Sequence, residues 1–198
     1  MDTALACPQR NASARWDFAD GRAVTVRAVQ PDDLQLASEF VARGLTQQSR
    51  YQRFQTGLSA LPPGMAAYLT NIDLRQHVAL LAVAEHGGAA QQVGEARYVC
   101  DGDLPDQAEF ALAVADEWQG LGMGGRLLRQ LVRVARRHGV RRLYGDVLRT
   151  NQPMLALARA HGFRPERQGD ARLARVALAL DEPLPQPVHR PVLDRLRA

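Results

Sequence analysis

The stretch that decides the fold is Ala108-Glu109-Phe110-Ala111-Leu112-Ala113-Val114-Ala115-Asp116-Glu117-Trp118-Gln119-Gly120-Leu121-Gly122-Met123-Gly124-Gly125. Ala108 to Val114 reads as an apolar strand interrupted by one carboxylate, Glu109, and Ala115 to Gln119 as a short polar loop. Gly120, Gly122, Gly124 and Gly125 then open a helix. A backbone this bare turns sharply, and its free N–H groups can close on an anion at the positive helix end. The glycines also fit Gly120-x-Gly122-x-x-Gly125, the dinucleotide spacing, with Asp146 near the end of the next strand as a ribose-binding acid. Against that reading, a polar loop separates the strand from the glycines, and too little chain follows Asp146 to complete a second mononucleotide-binding half.

Working outward, the helix after the glycines runs to His138, with Gly139 as its left-handed cap. Leu127, Leu128, Leu131, Val134 and Ala135 share one face, while Arg126, Arg129, Arg133, Arg136 and Arg137 share the other. That is an amphipathic helix on a sheet with a solvated basic side, so no nucleic-acid partner is expected. Arg142 to Leu148 is the next strand; Asn151 caps a helix with Pro153 in its first turn, Gly162 ends it, and strands follow near Phe163–Arg167 and Ala171–Leu180. Upstream, Val24 to Val29 alternates as a strand, and Pro31-Asp32-Asp33 opens a helix reaching about Arg43. Further helices hold Ser49 to Phe54 and follow Pro62-Pro63-Gly64. Strands His77–Ala84 and Val93–Cys100 flank a Gly87-Gly88 turn, and Asp101, Asp103 and Asp106 make the next loop acidic. The expected organisation is a flexible segment over 1–20, one domain over 21–180, and a Pro-rich tail over 181–198.

The chain has 198 residues, 46% hydrophobic and 23% charged, which suits one soluble globular domain with a real core. No apolar run is long enough to span a membrane, and the N-terminal region lacks the apolar core of a secretory signal. A cytoplasmic protein is expected, with no membrane partner. Cys7 and Cys100 match no metal or redox spacing, and no metal site is expected. The net charge is +4, and all 25 basic residues are arginine. The chain contains no lysine.

Gln119-Gly120-Leu121-Gly122-Met123-Gly124 resembles the pyrophosphate loop Gln/Arg-x-x-Gly-x-Gly/Ala of the GNAT superfamily of N-acetyltransferases, and Asn151 and Gly162-Phe163 follow at the family's distances. The resemblance implies an α/β (α+β) fold: a mixed, largely antiparallel sheet of six to seven strands, splayed between the fourth and fifth, with about four helices. It implies acetyl-coenzyme A as co-substrate. Its pantetheine arm would lie beside Leu112, Ala113 and Val114, and its pyrophosphate on the loop from Gln119 through Gly120, Leu121, Gly122, Met123 and Gly124 to Gly125. Arg126 would reach the phosphates, since a planar guanidinium suits them. Asn151 would touch the coenzyme arm, although its residue type is equally explained by capping.

An acceptor amine must be neutral to attack a thioester, yet lysine titrates near 10.4, so a general base is useful. Glu109 is the expected base, because a carboxylate set among apolar strand residues has a raised pKa. Glu95 is the reserve, acting through a bridging water. Many of these enzymes carry a tyrosine seven residues beyond the asparagine as general acid; here that position is Ala158. Tyr144 reads as a packed aromatic instead. Ser49-Arg50-Tyr51-Gln52-Arg53-Phe54, Ala108-Glu109-Phe110-Ala111, and Asn151-Gln152-Pro153-Met154 with Ala158-Arg159 resemble the GNAT domain of bacterial protein lysine acetyltransferases. Those proteins often carry a fused acyl-CoA-synthetase-like or nucleotide-sensing domain; this sequence shows no counterpart, so nucleotide regulation is not expected. Tyr51 and Phe54, three apart on a helix, read as core. The function expected first is acetyl transfer to protein lysine by direct attack in a ternary complex. The alternatives are transfer to a small-molecule amine, and a coenzyme A-binding module without turnover.

Overall fold

The computed structural model describes residues 13–180. Eight strands form one sheet: β1 (Ser13–Asp17), β2 (Ala23–Ala28), β3 (His77–His86), β4 (Ala89–Cys100), β5 (Gln107–Val114), β6 (Arg142–Leu148), β7 (Arg164–Glu166) and β8 (Leu173–Ala179). Their order is β1-β2-β3-β4-β5-β6-β8-β7, every neighbouring pair antiparallel except β5–β6. Five α-helices join them: α1 (Leu34–Glu39), α2 (Gln47–Phe54), α3 (Pro63–Thr70), α4 (Met123–Arg137) and α5 (Gln152–Ala160). The one parallel pair is a consequence of connection length, since only a crossover as long as α4 can return the chain to the same end of the sheet.

The sheet has one strand more than the six to seven expected, and a fifth α-helix. The extra strand is β1, in the segment expected to be flexible; Ala14 and Trp16 are buried while its other residues are exposed, so a half-buried alternation holds it against β2. The single helix expected from Pro31 to about Arg43 is instead a 3-10 turn at Pro31–Asp33, α1, and a π turn at Phe40–Gly44. Arg50 closes the end of that turn. Its guanidinium donates to the carbonyls of Val41 and Ala42 at 3.3 Å and of Leu45 at 2.6 Å, satisfying end groups that have no partner within a helix.

Helix α4 packs on one face of the sheet at Gly94, where an added Cβ would lie 2.9 Å from the Met123 sulfur and 3.0 Å from Leu127. Its five expected core positions are buried and Arg129 and Arg137 exposed, in line with its amphipathic pattern. The opposite face carries α2 and α3, tied down by buried polar contacts: Arg53 reaches Glu95, and Arg97 donates to the Leu69 carbonyl. No helix among the described residues is long and apolar enough to cross a membrane. Cys100 is a half-buried free thiol; Cys7 and the proline-rich tail lie outside the described residues.

Candidate active site

Strands β5 and β6 pair only at Gln107–Arg142, Ala108–Leu143 and Glu109–Tyr144, then diverge. The fork has a packing cause. Phe110 is buried, packs at a tilt against Phe163 with ring centres 4.9 Å apart, and leans over β6 at Gly145, where a Cβ would come within 2.8 Å of its ring. Beyond that wedge opens a cleft of about 420 Å³ between the two strands. Along it, the β6-facing N–H and C=O groups of β5 lack a partner strand, so an extended ligand arm can pair with them as an added strand.

The four glycines divide into two pairs. Gly120 and Gly122 have φ of +77° and +82°, a left-handed conformation that a side chain would strain, and Gly122 is the N-cap of α4. Gly124 and Gly125 are small for packing: added Cβ atoms would meet Leu157 of α5 at 3.3 Å and His161, which caps that helix, at 3.2 Å. The first N–H groups of α4 have no carbonyl of their own helix to bind, and the helix end carries roughly half a positive charge. The loop before it is anchored by Asp116, which accepts hydrogen bonds from the Thr46 N–H and the Ser49 hydroxyl, both at 2.9 Å.

Of the expected site residues, Glu109, Leu112, Ala113, Val114, Asn151 and the loop from Gln119 to Gly125, Leu121 apart, line this cleft. Gln119 turns its amide back to the Val114 carbonyl at 3.1 Å, and Asn151 caps α5 by accepting from the Met154 N–H at 3.1 Å. Leu121 and Arg126 are not in the lining. For Arg126 the reason is competition from aromatic faces: its guanidinium lies 4.5 Å from the Trp16 ring centre and 5.4 Å from that of Phe18, and donates to the Asp17 carbonyl at 3.1 Å.

Three ionisable side chains line the cleft: Arg53, Glu109 and Asp146. Arg53 is paired with Glu95, and Asp146 is held in a bidentate pair by Arg175 at 2.8 and 2.6 Å. Asp146 is thus committed within the sheet, which removes the ribose-binding acid that the dinucleotide reading needs. Glu109 alone of the three has no ion pair or hydrogen bond within the described residues. It sits at the last β5–β6 pair, open to cleft solvent, with enough protein around it that desolvation pushes its carboxyl up. Asp146 and Asp101 push the same way, against Arg175 and Arg53.

Glu95 lies outside the lining and is 3% exposed. One oxygen accepts from Arg53 at 2.9 Å, the other from Arg97 at 2.7 Å. Burial works to raise its carboxyl, but the two guanidiniums outweigh it and hold it at about 2. Such a carboxylate has no appetite for a proton, so the reserve base is withdrawn. Tyr144 is packed between Arg142 and Arg175, 4.9 and 4.8 Å from its ring centre, and donates to Asp101 at 2.8 Å. Burial first, then Asp101, pushes its hydroxyl up to about 12. Ala158 is fully buried, and α5 offers the cleft only Pro153, Met154 and Leu157.

The sequence reading missed Gln52 and Arg53, which α2 contributes to the lining, and Gln55, just past its end. The string from Ser49 to Phe54 carries the signal in its polar residues; of its aromatics, Tyr51 is 43% exposed rather than core. Gln55 ends α2 in a left-handed conformation and donates to the Asp146 carbonyl at 2.9 Å, spanning from the helix to β6.

A family model described as Acetyltransferase (GNAT) family matches residues 48–163. A curated acetyltransferase of Pseudomonas aeruginosa is 34% identical over 153 residues, which cover 76% of this chain and 80% of the relative. Acetyltransferase Pat of Mycolicibacterium smegmatis is 32% identical over 104 residues, 52% of this chain but 30% of that relative. Among solved structures, the GNAT domain of S. lividans PAT superposes with a TM-score of 0.76 at 26% identity, over 84% of this chain and 96% of that domain. The chain therefore belongs to the GNAT acetyltransferase family, whose members draw the transferred group from acetyl-coenzyme A.

Proposed function

We propose that the protein transfers acetyl from acetyl-coenzyme A to the ε-amine of protein lysine, by direct attack within a ternary complex. The observation that carries this reading is Glu109: an unpaired carboxylate with a raised pKa, at the point where β5 and β6 part. In this mechanism the acceptor arrives as an ammonium and Glu109 takes its proton, directly or through one water. The amine nitrogen then bonds to the thioester carbonyl carbon, and the tetrahedral adduct collapses with loss of the coenzyme A thiolate, the nitrogen shedding its second proton to solvent so that a neutral amide is left. With Ala158 in place of a tyrosine, that thiolate takes its proton from solvent. The pantetheine arm lies along Leu112 to Val114, and the pyrophosphate on the N–H groups from Gly120 to Gly125. Residues 101–106, with Asp101, Asp103 and Asp106, favour a cationic acceptor.

Protein lysine is preferred over a small amine because the strings at Ser49–Phe54, Ala108–Ala111 and Asn151–Met154 resemble those of bacterial protein lysine acetyltransferases. The likeness to the S. lividans PAT domain runs over nearly the whole of that domain. The test is a panel of folded proteins, lysine peptides and polyamines offered to the full chain with labelled acetyl-coenzyme A. Label appearing on protein lysines supports the reading; label confined to small amines overturns it.

A further inference from the structure

The β1–β2 hairpin grips the glycine-rich loop at both of its ends. On the upstream side, Arg22 lays its guanidinium 4.6 Å from the Trp118 ring centre and donates to the Glu117 carbonyl at 2.8 Å. Asp20 fixes the direction of that side chain by accepting from its Nε at 2.7 Å, and Phe18 meets Trp118 edge-on at 6.0 Å. On the downstream side, Arg126 in the first turn of α4 stacks on Trp16 and donates to the Asp17 carbonyl. These contacts bracket the segment from Gln119 to Gly125.

A glycine loop needs such a brace. Glycine is the residue with the most backbone freedom to lose, so a seat built from Gly120 and Gly122 pays in ordering whenever its N–H groups converge on an anion. Holding the loop in its binding conformation beforehand removes that cost from binding. Nothing in the glycines themselves can do this; the aromatic and guanidinium contacts on either side can.

We propose that the β1–β2 hairpin is a positioning element for the coenzyme's pyrophosphate, with Arg22 and Arg126 acting through the loop rather than on the ligand. This rests on the reading that the loop seats the pyrophosphate. It also reassigns Arg126, whose guanidinium orients the helix end instead of touching a phosphate.

The chain's two tryptophans, Trp16 and Trp118, both lie in the clamp, so intrinsic fluorescence reports on it directly. Coenzyme A and, separately, pantetheine, which lacks the phosphates, are titrated into the full-length protein by fluorescence and calorimetry. Arg22→Ala and Arg126→Met are each expected to raise the Kd for coenzyme A about tenfold and leave that for pantetheine within about twofold, the mark of a lost preorganisation at the phosphate end. Arg22→Lys, which keeps the cation over Trp118, should recover part of the loss. Equal weakening of both ligands with a lowered unfolding temperature means general loosening and overturns the proposal, as does an unchanged coenzyme A affinity. If the wild type binds coenzyme A no better than pantetheine, the loop is not a phosphate seat, and the loop reading falls together with the hairpin's part in it. Should Arg22→Ala fail to fold, Arg126→Met and Arg22→Lys carry the same comparison.

Discussion

Glu95 and Glu109 stand on adjacent strands and on the same face of the sheet, as the pairs Glu95–Ala113 and Val99–Glu109 show, yet their chemistry is opposite. Glu95 is buried between two guanidiniums and held at about 2, while Glu109 is open to the cleft, unpaired and pushed up. Burial works on both in the same direction. What separates them is partners: two arginines converge on one, and at the other the nearest influences include the carboxylates of Asp146 and Asp101. One glutamate has become structure, and the other is left free for chemistry.

The largest way to break this contrast is Glu95→Ala. Removing the shared carboxylate leaves Arg53 and Arg97 with unbalanced buried charge, and about 3–5 kcal/mol of stability should be lost in urea unfolding. A loss below about 1 kcal/mol would mean that water reaches the pair. Glu109→Gln should do the reverse: coenzyme A binding and unfolding midpoint hold, while the rate of acetyl transfer falls by roughly 10²-fold or more. Unchanged turnover assigns the base elsewhere.

Acid sharpens the same division. Glu95 contributes stability that is fully present above the unfolded value of about 4.3 and is lost as pH falls toward about 2. His77, beside Arg97 at 3.0 Å, is depressed to about 4 by burial and by that guanidinium. The unfolded chain takes up a proton there before the folded one does, so stability also drains as pH falls from about 6.5 to about 4. Unfolding midpoints measured from neutral pH down to about 2 should decline in both windows; His77→Gln should weaken the upper one, with the remainder left to His138, which burial also depresses. For Glu109 the sign concerns activity: the base works deprotonated, so kcat/KM should fall as pH drops through a value above that of an ordinary glutamate. The smallest expected effect is a shift of that limb. Asp146→Asn removes a charge that raises Glu109 and releases Arg175, which lowers it, so the limb should move to lower pH. Movement to higher pH would show that other groups set it.

Much of the site was legible from local pattern. The strand, loop and glycine helix from Ala108 to Arg137, the left-handed Gly139 and the cap at Asn151 follow from residue-by-residue preferences that need no distant partner. Glu109 stood out because a lone carboxylate in an apolar strand is conspicuous. The packing of Arg126 was not legible because its partners, Trp16 and Phe18, lie about a hundred positions upstream, in a segment too polar to announce a strand. Glu95 was misread for the same reason: nothing near it in the chain says that Arg53 will fold over it from α2.

Local pattern was enough for the strand-helix-strand unit, the glycine-rich helix start and the candidate base, and family resemblance for the class of fold, because backbone conformation and amphipathic pattern are set over a few neighbouring residues. Where the strands part, which carboxylate stays unpaired, and what braces the glycine loop depend on contacts between residues far apart in sequence. A pKa is a property of surroundings, and those surroundings exist only after Phe110 has met Gly145, Arg53 has met Glu95, and the N-terminal hairpin has closed on Trp118.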